Sequence, residues 1–165
     1  MNIARPLVTT VLCLAAALGA SGALCADTSG EAPKYVEPKL THAAFGDVRI
    51  VVPVTSEDPK VWLFKLANIR NGIAAAAAFD GSAAVRVVVY GRGIALVAQK
   101  DNEVATLIDG LRRQGVQFEV CNNTLRAMDI DYHTLHDVAE SDVVPSGFLE
   151  VAWLQRQGYQ VDPSN

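Results

Sequence analysis

Cysteine is scarce in this chain and unevenly placed. Of three cysteines in 165 residues, Cys13 and Cys25 fall within the first 26, and Cys121 stands alone in the remainder. A single thiol cannot form an internal disulfide, so no disulfide framework braces the chain beyond residue 26. Positive charge is also thin. Lys and Arg number 14 against 18 Asp and Glu, for a formal charge of −4, and no basic cluster occurs. That balance excludes the electrostatic footprint of a nucleic-acid binder or of a protein held on anionic lipid. No apolar run reaches the roughly 20 residues that cross a bilayer. A phosphate loop and a Gly-x-Ser-x-Gly elbow are both missing. Nothing in the composition implies a cofactor, and repeats are absent apart from the alanine run Ala74 to Ala78.

Half of the residues are hydrophobic and 19% are charged, a proportion that builds a compact core and argues against wholesale disorder. Met1 to Arg5 makes a short basic start, Pro6 to Leu18 an uncharged apolar run, and small residues lead to Leu24-Cys25-Ala26. This is the pattern of a secretory signal peptide over residues 1–26, cleaved after Ala26 or slightly earlier. A lipid-modified Cys25 is the weaker reading, because Gly22-Ala23-Leu24 lacks the usual residues before such a cysteine. Cleavage removes Arg5 and no acid, leaving the mature chain one unit more negative. The expected address is periplasmic or secreted, with no membrane association after cleavage. Residues 27–46 hold Ser, Gly, two prolines and mixed charges without periodicity, and read as a linker or N-terminal arm. Tyr35, Val36 and Leu40 are its docking candidates, possible contacts to a neighbouring subunit included. Residues 47–165 remain for one α/β domain.

Within that domain Val48 to Val54 reads as a strand whose pairing weakens at Pro53, which has no N–H to donate. Asp58 and Pro59 mark a helix start, and Trp62, Leu66, Ile69 and Ile73 form a stripe at helical spacing to about Ala77. The stripe is core packing rather than a cofactor box. Val85 to Tyr90 is almost continuously apolar, as in a strand buried on both faces of a parallel sheet. Gly91-Arg92-Gly93 ends it, and Ile94 to Gln99 is expected to be a short helix. Asp101 or Asn102 caps the next helix, whose buried face is Val104, Leu107, Ile108 and Leu111, and Gly115 closes it. After the strand at Val116 come a short helix, an acidic loop from about Asp129 to Asp142, and a brief strand at Val143-Val144. Ser146-Gly147 then opens a helix that is apolar almost all round in its first turns, Gly158 stops it, and Tyr159 to Val161 is a last strand. The order β-α-β-α-α-β-α-β-α-β predicts an open, mostly parallel five-stranded sheet with helices on both faces.

In such sheets reacting groups gather at the carboxyl ends of the strands. Thr55–Asp58, Gly91–Gly93, Cys121–Thr124 and Pro145–Gly147 should share that edge, and Cys121 is the strong nucleophile among them. Strand parity puts Val116, Phe118 and Val120 on one face, and Gln117, Glu119 and Cys121 on the other, less apolar one. Asn122, Asn123 and Thr124 supply helix-start chemistry, and a thiol beside unsatisfied helix amides is biased toward thiolate. An ionised Glu119 nearby would oppose this.

Other motifs fare less well. Gly91-x-Gly93 lacks the third glycine and the acidic partner of a dinucleotide site, so a tight turn explains it better. His133 and His136, flanked by Asp131 and Asp137, have a spacing that metal sites use, but the segment is loop-like and no cysteine pair supports it, so no metal site is assigned. Asn122-Asn123-Thr124 is formally a glycosylation sequon, though its position at a strand–helix junction favours capping. Asn68 and Asn71 lie on the polar flank of the first long helix, where solvation is the simple account and a view of the thiol the alternative.

Taken together, "SEDPKVWLFKLANIRN", "VRVVVYGRGIALV", "VQFEVCNNTLRAMDI" and "VVPSGFLEVAWLQRQGY" resemble the DsrE/DsrF-like (YchN-like) family over about Val48 to Tyr159. The resemblance implies an α/β fold assembled as homotrimers or hexamers, and sulfur-relay chemistry. In that chemistry a cysteine after the third strand, here Cys121, accepts sulfane sulfur as a persulfide and passes it to an acceptor. Asn122 and Asn123 would form its backbone cradle, and the Gly91–Gly93 turn and Thr124 would complete the surroundings. Relay members act in the cytoplasm, often with partner subunits, whereas this chain carries an export signal. Three readings follow. The first is an exported sulfur carrier, served by a donor or acceptor protein. The second is a non-catalytic homo-oligomeric module, binding a ligand or partner, with an inert thiol. The third is a redox sensor acting through an interchain Cys121 disulfide.

Overall fold

The structure, a computed structural model, describes residues 34–98, 100 and 102–164. The expected signal peptide, with Cys13 and Cys25, and the first part of the arm lie outside the described residues. Residues 34–38 group separately from the unit formed by residues 39 onward. Tyr35 and Val36 are exposed. The end of the arm is fixed, because Phe45 sits edge-on against Phe79 at 6.3 Å and the Gly46 carbonyl accepts from the Ser82 amide at 2.9 Å.

Five strands make one sheet in the order β4-β3-β2-β1-β5, every neighbouring pair parallel. They are β1 (Asp47–Val54), β2 (Ser82–Val89), β3 (Gln117–Cys121), β4 (Val143–Val144) and β5 (Gln160–Val161), interleaved with α1 (Pro59–Ala78), α2 (Glu103–Arg113), α3 (Asn122–Ala127) and α4 (Gly147–Arg156). The chain steps outward from β1 to β4 and then returns across the whole sheet to β5. Right-handed crossovers place α1 and α2 on one face for the outward steps and α4 on the opposite face for the return.

The side chains follow the pleat. Ile50, Val52, Val54, Val85, Val87, Val89, Phe118 and Val120 pack with Trp62, Leu66 and Ile69 of α1 and with Val104, Ile108 and Leu111 of α2. The register Ile50↔Val85, Val87↔Phe118 and Val89↔Val120 brings these positions to one face. On the other face Val51 and Val88 meet Leu154 of α4, with Tyr90, Val151 and Tyr159 at the margin.

Local signals act where the residues indicate. Asp58 accepts from the Lys60 amide at 2.9 Å with Pro59 in the first turn, and Asn102 caps α2 through the Ala105 amide at 3.0 Å. Gly115 and Gly158 follow α2 and α4 with φ of 89° and 88°. Pairing does not weaken at Pro53 on the β2 side, since the ladder runs to Val54↔Val89. The Val51 carbonyl accepts from Asp162 on the β5 side, so Pro53, two residues on, turns its missing N–H toward that side. β5 ends at Val161, and no ladder bond is lost.

The short helix expected at Ile94 to Gln99 is instead a 3-10 helix at Gly91–Leu96. The two glycines therefore start a turn of helix as well as ending β2. The acidic loop likewise carries two 3-10 turns, Tyr132–Thr134 and Glu140–Asp142. It is tied to α2, where Arg112 pairs with Asp137 at 3.1 Å and Asp142 at 3.2 Å and lies over the Phe118 ring. α4 buries only Gly147 and Leu154 fully and leaves Phe148, Leu149 and Trp153 exposed. Its all-round apolarity is thus only partly answered within the chain.

A buried ion pair closes the C-terminal end. Lys65 of α1 meets Asp162 at 2.8 Å, and the Ser164 amide and hydroxyl also serve that carboxylate. Burial pushes the Asp162 carboxyl up, but the Lys65 ammonium and the Ser164 groups outweigh it and hold it below its ordinary value. A carboxyl depressed in the folded state stabilises above its unfolded value, near 3.9, and that contribution is lost as pH falls through the folded value. Asp162→Asn leaves the buried ammonium with the Ser164 carbonyl but no counter-charge, and should lower stability by about 3 kcal/mol at neutral pH. Urea titrations of the two proteins should converge as the pH falls through the lowered folded-state value of Asp162; an equal gap at every pH would refute the assignment.

Candidate functional site

β3 runs directly into α3, and Cys121 is the residue at the join. It is the last strand residue, aligned with Val144 of β4, and the N-cap of α3 with φ −75° and ψ 116°. Its parity sends the sulfur to the face that carries α4, together with Glu119. The four rim segments all follow carboxyl ends of parallel strands. The loop after β4 brings the first turn of α4 to the thiol.

Cys121 is only 5% exposed, so the sulfur is less open than a residue on a sheet rim is expected to be. Its surroundings are nonetheless polar. Burial pushes the thiol up; against it act the Gly147 amide first, then the Thr124 hydroxyl, the Thr124 amide and the Asn123 amide. The balance leaves the thiol below its ordinary value. The sulfur stands where a capping oxygen would at the start of α3, and no side-chain oxygen caps that helix.

Each donor has a reason for its place. Ser146 caps α4 by accepting from the Leu149 amide at 3.4 Å. Gly147 comes next, and a Cβ there would lie 2.9 Å from both Cβ and Cδ1 of Tyr90. Glycine lets α4 close down on β2 at that point. Thr124 is 8% exposed, and its Oγ1 accepts from the Gly91 amide at 2.8 Å. Gly91 has a φ of 56°.

Placement separates the expected site residues. Asn123 and Thr124 face the sulfur, while Asn122 begins α3 without being among the donors. Gly91 reaches the site through Thr124. Gly93 does not: its amide donates to the Tyr90 carbonyl at 3.2 Å, and its Cα packs onto the Val54 carbonyl. Asn122 walls a cleft of about 370 Å³ with Tyr132, Glu140, Val143 and Pro145. Gly147 was not legible as a donor from sequence; the available signal was a glycine behind a Ser cap on the same rim.

Glu119 is engaged elsewhere: it is buried against Arg86, whose guanidinium pairs with it. The histidines do not converge either. His133 pairs with Asp131 at 2.6 Å and His136 with Asp109 at 2.7 Å, and no metal-binding group of three occurs among the described residues. Asn68 lines an apolar cavity between α1 and β1 beside Lys65 and Asp162, on the opposite sheet face from the thiol. Asn71 is exposed.

Comparison with known proteins adds two findings. Residues 66–161 match the model of the DsrE/DsrF-like family. A solved protein of unknown function from Methanobacterium thermoautotrophicum is 32% identical, with a TM-score of 0.60 over 70% of this chain and 98% of that one. No curated protein matches.

Proposed function

The chain belongs to the DsrE/DsrF-like family, whose members point to sulfur relay, and on that premise we propose that it carries sulfane sulfur as a persulfide on Cys121. The Cys121 thiolate attacks the outer sulfur of a donor R–S–SH. A new S–S bond forms to Cys121, the donor S–S bond breaks, and the donor leaves as RS⁻. An acceptor thiolate then attacks the outer sulfur and releases Cys121 as thiolate. Two-electron exchange of this kind needs no external oxidant, and its rate follows the thiolate fraction and access.

One observation carries the reading. Although burial opposes it, the amides of Gly147, Thr124 and Asn123 and the Thr124 hydroxyl together hold the Cys121 thiol below its ordinary value. Such a shell suits an anionic sulfur better than a neutral thiol. Intact mass after polysulfide or thiosulfate treatment should show the wild type gaining sulfur, and Cys121→Ser gaining none. A wild type that gains nothing, and alkylates no faster than a buried thiol, would instead fit the inert module.

Export and assembly belong to the same proposal. Residues 1–26 support export to the periplasm or beyond, which N-terminal sequencing of the exported protein checks. The exposed Phe148, Leu149 and Trp153 support a homotrimer or hexamer, since apolar side chains grouped on one helix favour burial against a second surface. A monomer mass by light scattering would remove that part.

A further inference from the structure

The Thr124 hydroxyl has a role that helix chemistry alone does not require. A threonine inside a helix can give its hydroxyl proton to a carbonyl three or four residues back. A hydroxyl has one proton and two lone pairs. At Thr124 the Gly91 amide donates to Oγ1 at 2.8 Å, which takes up a lone pair and restricts the rotor. The residue is 8% exposed, so solvent hardly competes for the proton. Cys121 is the N-cap of the same turn, three residues back, and its sulfur is the group on which the Thr124 hydroxyl acts.

We infer that Thr124 is a positioning residue for the thiol chemistry: the Gly91 amide orients its hydroxyl so that the proton is given to the Cys121 sulfur. The turn after β2 and the reacting atom after β3 are thereby linked through one side chain. The amides of Asn123, Thr124 and Gly147 are set by backbone position, whereas this fourth donor depends on the orientation of a rotor. The inference builds on the persulfide reading only in taking the thiolate as the working form.

The test is the pH profile of Cys121 alkylation by iodoacetamide in wild type, Thr124→Val and Thr124→Ser. Valine keeps the shape and removes the hydroxyl. Its profile should move to higher pH, and its rate at neutral pH should fall about threefold, because a tenfold loss of thiolate is partly offset by the greater nucleophilicity of the more basic sulfur. Serine should restore the wild-type profile. If valine is not recovered folded, Thr124→Ala is measured instead, with the same direction expected. A valine or alanine profile that coincides with wild type overturns the inference, as does a serine profile that fails to return.

Sulfur loading is measured separately, with excess polysulfide at a pH above both midpoints, where all three proteins hold thiolate. Loading of all three, with the valine profile displaced, supports both readings. A displaced profile without loading of the wild type removes the persulfide reading and leaves the role of Thr124 standing.

Discussion

Gly93→Ala should lower stability by about 3 kcal/mol, at the upper end of what overpacking costs, and the melting temperature by roughly 10 °C or more. A Cβ at this position would lie 2.0 Å from the Val54 carbonyl oxygen, 2.5 Å from its carbon and 2.9 Å from the Thr55 nitrogen. All three are backbone atoms at the end of β1, an interior strand of the sheet, so no side-chain rotation relieves the overlap. The 3-10 helix would have to swing away, which pulls on the Tyr90 amide bond to the Val54 carbonyl at 3.1 Å. Because Gly91 lies two residues earlier, its contact to Thr124 should loosen as well. Thermal unfolding followed by circular dichroism checks the prediction, and a shift under about 3 °C would mean that the turn yields more easily than its packing indicates.

Gly147→Ala should act on the site more than on the fold. The added methyl meets Tyr90 at Cβ and Cγ, close to the backbone where the side chain cannot turn away. α4 must therefore back off, and its first amide retreats from the sulfur. That amide is the leading group holding the thiol below its ordinary value, and a hydrogen bond to a charged group is worth about 1.5–3 kcal/mol. The alkylation profile of Cys121 should move to higher pH. Its neutral-pH rate should drop about threefold or more after the compensating rise in nucleophilicity. Circular dichroism should still report a folded protein. An unmoved profile would show that α4 does not need its close approach to β2 to serve the thiol.

Much of this architecture was legible from residue patterns, because it rests on short-range chemistry. The Trp62, Leu66, Ile69 stripe, the Asp58-Pro59 start and the apolar β2 segment each act within a few residues. The alternation Gln117, Glu119, Cys121 placed the sulfur on its face correctly, and the sheet expected to be mostly parallel from the helices between strands is parallel throughout. Long-range pairings were harder to read. Arg86 sits 33 residues from Glu119 in sequence, so the partner that neutralises that carboxylate could not be named from its neighbourhood. The Gly147 amide meets Cys121 only because the return crossover brings α4 over β3. Rim placement was legible for Cys121, but the first turn of α4, which comes to the thiol from far along the chain and leaves it 5% exposed, was not. The Gly91–Gly93 segment marked a turn correctly, yet its glycines serve different ends, one offering an amide to Thr124 and the other a bare Cα to Val54.

The sulfur is steadied mostly by peptide N–H groups, and every residue except proline carries one. Letters on either side of Cys121 can therefore drift without erasing the electrostatic setting, provided the chain path is kept. An alanine scan through Asn122 and Asn123 would score them as almost silent. Distant glycines and a threonine would register strongly, although only the threonine has a side chain near the sulfur. Ranking positions in this centre by chemical side-chain type would thus miss most of what makes it.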